Sequence, residues 1–110
     1  MRVFLDDERA TPAGYVGVRW PEEAVTLLRT GEVSHLSLDH DLGEVGAGAR
    51  TGYDVILWVE EQVALHGFRP PAHICIHSAN SAAGARMRQG VRAIYDIARQ
   101  MGVQPVREVV

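Results

Sequence analysis

A chain of 110 residues can form one domain with its own core, and its 46% apolar and 23% charged residues are ordinary for a soluble globular protein. The net charge of −3 gives no overall attraction for nucleic acid or anionic membrane, although the arginines are unevenly placed, and no apolar run approaches the ~20 residues of a membrane span. All basic side chains are arginine, which excludes chemistry that needs a lysine amine, and the single cysteine excludes an intramolecular disulfide. We therefore expect one cytoplasmic domain over residues 1–110, without a membrane partner.

The first third of the chain predicts two short strands and a helix. Residues 3–5 are apolar and end in charge, which favours a first strand, whereas residues 8–15 (ERATPAGY) are typical of a loop. A second short strand is predicted over residues 16–20. Pro21 suits the first turn of a helix, and Gly31 is placed to end it.

The middle of the chain repeats this order of strand, loop and helix. Residues 35–38 predict a third strand, and the glycine-rich residues 43–52 predict a loop. Thr51 is a suitable N-cap for a helix that runs to about His66. Residues 73–76 predict a fourth strand, apolar at consecutive positions as in a strand covered on both faces, with a buried thiol at Cys75.

The last predicted helix is capped by Ser81. Apolar residues recur along it at helical spacing, which favours a core-facing stripe; they are Ala83, Met87, Val91, Ile94, Ala98 and Met101. Residues 103–110 predict a fifth, edge strand. Strands that alternate with helices indicate an α/β fold with a mostly parallel sheet.

Polar residues follow three of the predicted strands. They are DDE at 6–8, DHD at 39–41 and HSAN at 77–80. Because parallel strands end at one edge of their sheet, where α/β domains place their ligands, these clusters are expected to converge.

Carboxylates gathered in one crevice repel each other unless a cation neutralises them. Mg²⁺ or Mn²⁺ would do so with oxygen ligands, and the preferred set is Asp6, Asp7 and Asp39, with Asp41 as a substitute. The alternative is that these acids only cap strand ends and turns.

Two histidines accompany the acids. His40 and His77 can each exchange a proton near neutral pH, and the alternative is that each is a structural residue bonded to a neighbouring carboxylate. Other side chains in or near these clusters could bind phosphate: Ser78, Asn80, Arg9 and Arg86.

The paired Asp6-Asp7 after the first strand, Asp39 after the third and Ser78 after the fourth resemble the acidic pocket of response-regulator receiver domains. This resemblance implies a three-layer, flavodoxin-like domain with strand order 2-1-3-4-5, Mg²⁺ in the pocket and Asp39 at the phospho-acceptor position. The chain differs from a receiver in having no lysine and in having the loop 8–15 where a receiver has its first helix.

Motifs covering roughly residues 2–95 resemble more closely the cyclic-phosphate processing receiver domains. They are, in chain order, VFLDDER, EEA, SLDHDLG, TGYDV and IHSAN. This resemblance implies a metal-dependent phosphoesterase acting on a cyclic phosphate, such as a 2′,3′-cyclic nucleotide or RNA end, with Asp6, Asp7 and Asp39 around a cation and His40 and His77 nearby. The chemistry of these side chains predicts Asp39, His40 and His77 as catalytic residues, with one histidine activating a water and the other protonating the leaving ribose oxygen. The alternative function is a degenerate receiver-like module that binds Mg²⁺ or a phosphate ligand and signals to a protein partner or a second copy.

Overall fold

The computed structural model describes residues 1–39, 51–77 and 81–109. Within these residues, four parallel strands form one sheet, in which the second strand of the chain lies at one side, followed by the first, the third and the fourth. The strands are Arg2–Leu5 (β1), Val16–Val18 (β2), His35–Leu38 (β3) and His73–Ile76 (β4). The helices are Pro21–Leu28 (α1), Gly52–His66 (α2) and Ser81–Met101 (α3). The first four strands and the three helices of the sequence prediction are confirmed, and residues 6–15 contain no helix.

Side-chain caps define where α2 begins. The Thr51 hydroxyl accepts the N–H of Tyr53 at 3.2 Å, and the Asp54 carboxylate accepts the N–H of Thr51 at 2.7 Å. This reciprocal pair satisfies N–H groups that have no partner inside the helix. At the other end, Gly67 adopts a left-handed conformation with φ of 64° and closes the helix after His66, where the sequence predicted its end.

The core lies between the helices and one face of the sheet. Alternate strand residues, Val3 and Leu5 in β1 and Leu36 and Leu38 in β3, are at most 2% exposed. They pack with the buried side chains of α2 and α3, the largest of which are Ile56, Met87 and Ile94. Each such side chain stabilises the fold by about 1.5–3 kcal/mol relative to an exposed position.

The described helices all pack on this face, so this part of the chain has two layers where three were expected. The strand residues that point the other way, among them Phe4, Ser37 and Cys75, do not belong to the buried apolar cluster. Cys75 is exposed, and the prediction of a buried thiol in a strand covered on both faces is wrong. We call this second surface of the sheet the open face.

The predicted stripe along α3 is confirmed for most of its length. Ala83, Met87, Ile94 and Ala98 are buried, and Val91 packs partly against the core. Met101 is 46% exposed because it is the last residue of the helix. Ser81 is the first helical residue rather than the residue before it. In the described chain, no helix has the length and hydropathy needed to cross a membrane.

The fifth strand predicted over residues 103–110 is not present in the part that the structure describes. Val106 forms a single parallel bridge with Pro71, in which it donates to the Pro70 carbonyl and accepts from Ala72. Pro71 and Pro105 have no N–H to donate, which limits a regular ladder here.

Glu108 holds the residues after Val106 near the beginning of β1. Its carboxylate accepts two bonds from the Arg2 guanidinium, at 2.6 and 2.8 Å, at the beginning of β1. Since β1 is separated from β4 by β3, the segment runs toward β1 instead of along the outer edge of β4. Consequently β4 is an edge strand of the described sheet.

Candidate metal centre

The strand register brings three polar residues to one edge of the sheet. Leu5, Leu38 and Ile76 are neighbours across β1, β3 and β4, and each is the last residue of its strand. Backbone bonds extend this register by one residue: Asp39 donates to the Leu5 carbonyl and His77 to the Leu38 carbonyl, both at 3.0 Å. Asp6, Asp39 and His77 therefore lie side by side where the strands end.

Three carboxylates meet at this edge. Asp6, Asp7 and Asp39 each offer an oxygen, and these oxygens lie within 4.8 Å of one another. Asp6 is 6% exposed and Asp39 5% exposed, so water can screen their charges only weakly. This arrangement is the convergence expected from parallel strands.

The Asp7 carboxylate supplies a test of whether a cation fits. Its Oδ1 atom is buried and accepts no hydrogen bond from any described residue. A buried carboxylate oxygen without a partner is costly, whereas Mg²⁺ and Mn²⁺ take such oxygens as ligands and retain waters of their own. The donor set therefore fits a hard divalent cation held by Asp6, Asp7 and Asp39.

Asp6 accepts four hydrogen bonds from described residues. Its Oδ1 accepts the backbone N–H groups of Glu8 at 2.8 Å and Arg9 at 2.9 Å, and its Oδ2 accepts the Arg9 guanidinium at 2.8 Å and His77 at 3.0 Å. Burial by itself raises the pKa of Asp6, but the bonds from Arg9, Glu8 and His77 outweigh it and lower the pKa to about 2. Asp6 is therefore ionised at neutral pH.

Arg9 lies against two of the three acids. Its Nη1 atom is 2.8 Å from Asp6 Oδ2 and 3.4 Å from Asp39 Oδ2. The sequence suggested Arg9 as a phosphate-binding residue, whereas the structure pairs its guanidinium with the acids of the candidate metal site.

His77 folds over the open face, where three contacts fix its ring. The ring stacks on Phe4 at 4.4 Å between centroids with 5° between planes, and its Nδ1 atom is 2.7 Å from the Ser37 hydroxyl oxygen. Because the ionised Asp6 can only accept, the 3.0 Å contact with it requires a proton on Nε2, whereas the direction of the bond between Nδ1 and the Ser37 hydroxyl depends on whether Nδ1 also carries a proton. The contact with Asp6 is the one expected of a structural histidine, and both ring nitrogens have partners.

Sequence reasoning missed three residues that shape this site. Ser37 and Phe4 position His77, and Gly52 lets the first turn of α2 approach Asp39. A Cβ atom at residue 52 would lie 2.0 Å from the Asp39 carbonyl oxygen, a distance that forces a backbone shift. The alternation of β3, which puts Ser37 on the same face as residue 39, was the one available signal for Ser37.

The remaining candidates do not enter the described site. Arg86 is exposed on α3 and forms no hydrogen bond or ion pair with a described residue. Four candidates, namely His40, Asp41, Ser78 and Asn80, lie outside the described residues, as does most of the predicted loop 43–52.

A parallel sheet covered by helices, with acids after β1 and β3, is consistent with a receiver-like domain. Residues 1–93 match the family model of the Cyclic-phosphate processing Receiver domain, and the chain belongs to that family. The matched segment contains the three acids, Arg9 and His77. No curated protein and no solved structure matches this sequence.

Proposed function

We propose that this domain is a metal-dependent phosphoesterase that opens a cyclic phosphate, such as the 2′,3′-cyclic phosphate of a nucleotide or RNA end, in the cytoplasm. The observation that carries the proposal is the convergence of Asp6, Asp7 and Asp39, with an orphaned Asp7 oxygen, beside His77. Membership in a family described as cyclic-phosphate processing supports the choice of substrate.

The proposed reaction adds water across one phosphate ester bond. A bond forms between the water oxygen and phosphorus, the bond from phosphorus to one ribose oxygen breaks, and the proton lost by the water is balanced by protonation of that ribose oxygen. Bound Mg²⁺ or Mn²⁺ would polarise a phosphoryl oxygen and lower the pKa of a coordinated water.

The chain's own residues supply the remaining functions. Asp6, Asp7 and Asp39 hold the cation, and His77 holds a proton on Nε2 beside the Asp6 carboxylate. His77 and His40 are the proposed acid and base, and Ser78 and Asn80 the proposed phosphate donors. The roles of His40, Asp41, Ser78 and Asn80 rest on the sequence, since these four lie outside the described residues.

Calorimetric titration of Mg²⁺ and Mn²⁺ into the wild type and Asp39→Asn tests the metal site. Asp39→Asn removes one negative charge from the site, whereas the control Asp96→Asn removes one from the exposed surface of α3. We expect saturable binding by the wild type and the control, a loss of at least tenfold in Asp39→Asn, and hydrolysis of a 2′,3′-cyclic nucleotide that follows metal binding. Equal binding by all three proteins would contradict the site, and binding without hydrolysis would contradict the activity.

A second candidate function is a non-enzymatic module that binds Mg²⁺ or a phosphate ligand and signals to a protein partner or a second copy. One observation favours it: both ring nitrogens of His77 are occupied, by Ser37 and Asp6, so the ring must break a bond before it can transfer a proton to a substrate. Saturable metal binding together with a metal-dependent change in oligomeric state, and no hydrolysis, would support this module over the phosphoesterase.

A further inference from the structure

Arg9 provides a positive charge inside the candidate metal centre. One guanidinium nitrogen, Nη1, contacts Asp6 at 2.8 Å and approaches Asp39 at 3.4 Å, so a single nitrogen with its two N–H bonds lies between two of the three carboxylates. Those two carboxylates are buried, and a cation between them offsets their mutual repulsion. Arg9 thus neutralises part of the charge that a divalent metal ion would neutralise.

The guanidinium and a metal ion compete for the same oxygens. Mg²⁺ binds carboxylate oxygens at about 2.0–2.1 Å and requires near-octahedral geometry, which leaves little room for an N–H donor between its ligands. The two cations also repel each other in a site with few screening waters. Entry of the metal therefore requires that the Arg9 guanidinium leave Asp39 and at least loosen its bond with Asp6.

The side chain of Arg9 can leave without unfolding the turn that carries it. Its backbone N–H donates to Asp6 Oδ1 at 2.9 Å, and this bond, together with that from the Glu8 N–H, holds the turn independently of the guanidinium. The Arg9 side chain is 47% exposed, so solvent is available on the side toward which it would move. The backbone anchor keeps a displaced guanidinium within reach of any ligand on the metal.

Resting on the proposed metal-dependent function, we propose that Arg9 is a built-in counter-cation: the metal displaces it from Asp6 and Asp39, and the freed guanidinium then binds the phosphoryl oxygens of the ligand. A planar guanidinium suits such oxygens because it donates two parallel N–H bonds. Metal and phosphate binding are consequently coupled, and each raises the affinity for the other by the same factor.

Three proteins test this coupling: the wild type, Arg9→Gln and the control Arg99→Gln. The control removes the same charge from an exposed pair on α3, between Arg99 and Asp96. By calorimetry, we expect Arg9→Gln to bind Mg²⁺ about tenfold more tightly than the wild type, because a charge-assisted competitor has been removed. With Mg²⁺ saturating, we expect it to bind inorganic phosphate about tenfold more weakly. Arg99→Gln should change neither affinity.

A direct readout uses the wild-type protein alone. The side-chain ¹⁵Nε–¹H resonance of Arg9 should move as Mg²⁺ is titrated and move again when inorganic phosphate is added. This measurement keeps the proposal open to refutation if Arg9→Gln does not fold. No movement of that resonance at saturating Mg²⁺ would overturn the proposal.

The outcomes separate this inference from the proposed function. Saturable Mg²⁺ binding with equal affinity in wild type and Arg9→Gln would overturn the role of Arg9 and leave the metal centre in place. Mg²⁺ binding by Arg9→Gln but not by the wild type would support the proposal, because it would mean that the Arg9 guanidinium blocks the metal site. Absence of binding by both proteins would overturn the metal centre and, with it, the inference.

Discussion

Ser37 contacts the ring nitrogen of His77 that does not contact Asp6. Its hydroxyl lies 2.7 Å from Nδ1, and in Ser37→Ala this ring nitrogen loses its partner while the stack on Phe4 remains. We expect Ser37→Ala to lower the free energy of unfolding by about 1 kcal/mol, the usual net value of one such bond, as measured by urea unfolding. The ¹⁵N shift of His77 Nδ1 should change in the same variant.

The matched variant is Ser37→Thr, which keeps a hydroxyl and suits a strand. It should restore both the stability and the Nδ1 shift. If Ser37→Ala leaves the Nδ1 shift of His77 at its wild-type value, the Ser37 bond does not position the ring.

At the scale of single residues, the sequence predicted those positions that depend on local order along the chain. Asp6 and Asp39 follow apolar strand residues directly, so a parallel sheet places them at one edge without further information. The contacts of His77 could not be predicted in this way. They join residues 40 and 71 positions apart and depend on a ring that folds back over the open face.

Among the elements, the end of the C-terminal segment, beyond the bridge between Val106 and Pro71, is held by a bidentate ion pair between Arg2 and Glu108. The hydrogen bonds from the Arg2 guanidinium are the main cause that lowers the pKa of Glu108 to about 2, below its ordinary value of 4.5. The folded protein therefore binds this proton more weakly than the unfolded chain does. The stabilisation by this pair is complete above the unfolded pKa and is lost as the pH falls from about 4.5 to about 2.

We therefore expect Glu108→Gln to lower the thermal midpoint at neutral pH and to approach the wild type as the pH falls to about 2, where about half of the wild-type carboxyl groups are protonated and most of the stabilisation is lost. Hydrogen exchange of the Val106 and Ala72 amides should also become faster at neutral pH, since the bridge they form lies next to the released segment. The control, Glu61→Gln, changes an exposed acid of α2. A difference between Glu108→Gln and wild type that persists unchanged down to pH 2 would contradict this assignment.

Sequence patterns predicted the helices and four strands because these depend on local signals, whereas the end of the chain depends on contacts between residues far apart in the sequence. Helix caps at Thr51 and Gly67 act within a few residues, and they are readable in the sequence. Residues 103–110 have the composition of a strand, but their path follows contacts that are distant in sequence, from Arg69 to the Gln104 and Pro105 carbonyls and from Arg2 to Glu108, which is 106 residues away. The exposure of Cys75 likewise depends on which face of β4 the helices cover.

For the whole molecule, a cation that binds the folded state but not the unfolded chain raises the free energy of unfolding by mass action. With about 10 mM Mg²⁺ and a dissociation constant of about 1 mM, the gain is about 1.4 kcal/mol. For a domain of this size, that gain raises the thermal midpoint by about 5 °C. The sheet edge is the part of the fold that would bind the ion, because the three acids come from its first and third strands.

We expect this rise in wild type and in Asp96→Asn, and little or none in Asp39→Asn, when unfolding is followed by circular dichroism with and without Mg²⁺. Asp39→Asn keeps the size of the side chain but removes one anionic ligand, so the folded state no longer gains from the ion. The chain has 14 acidic residues, and any of them outside the cluster could attract Mg²⁺ weakly at its surface. A rise of equal size in Asp39→Asn would therefore assign the stabilisation to such diffuse binding instead of to the sheet edge.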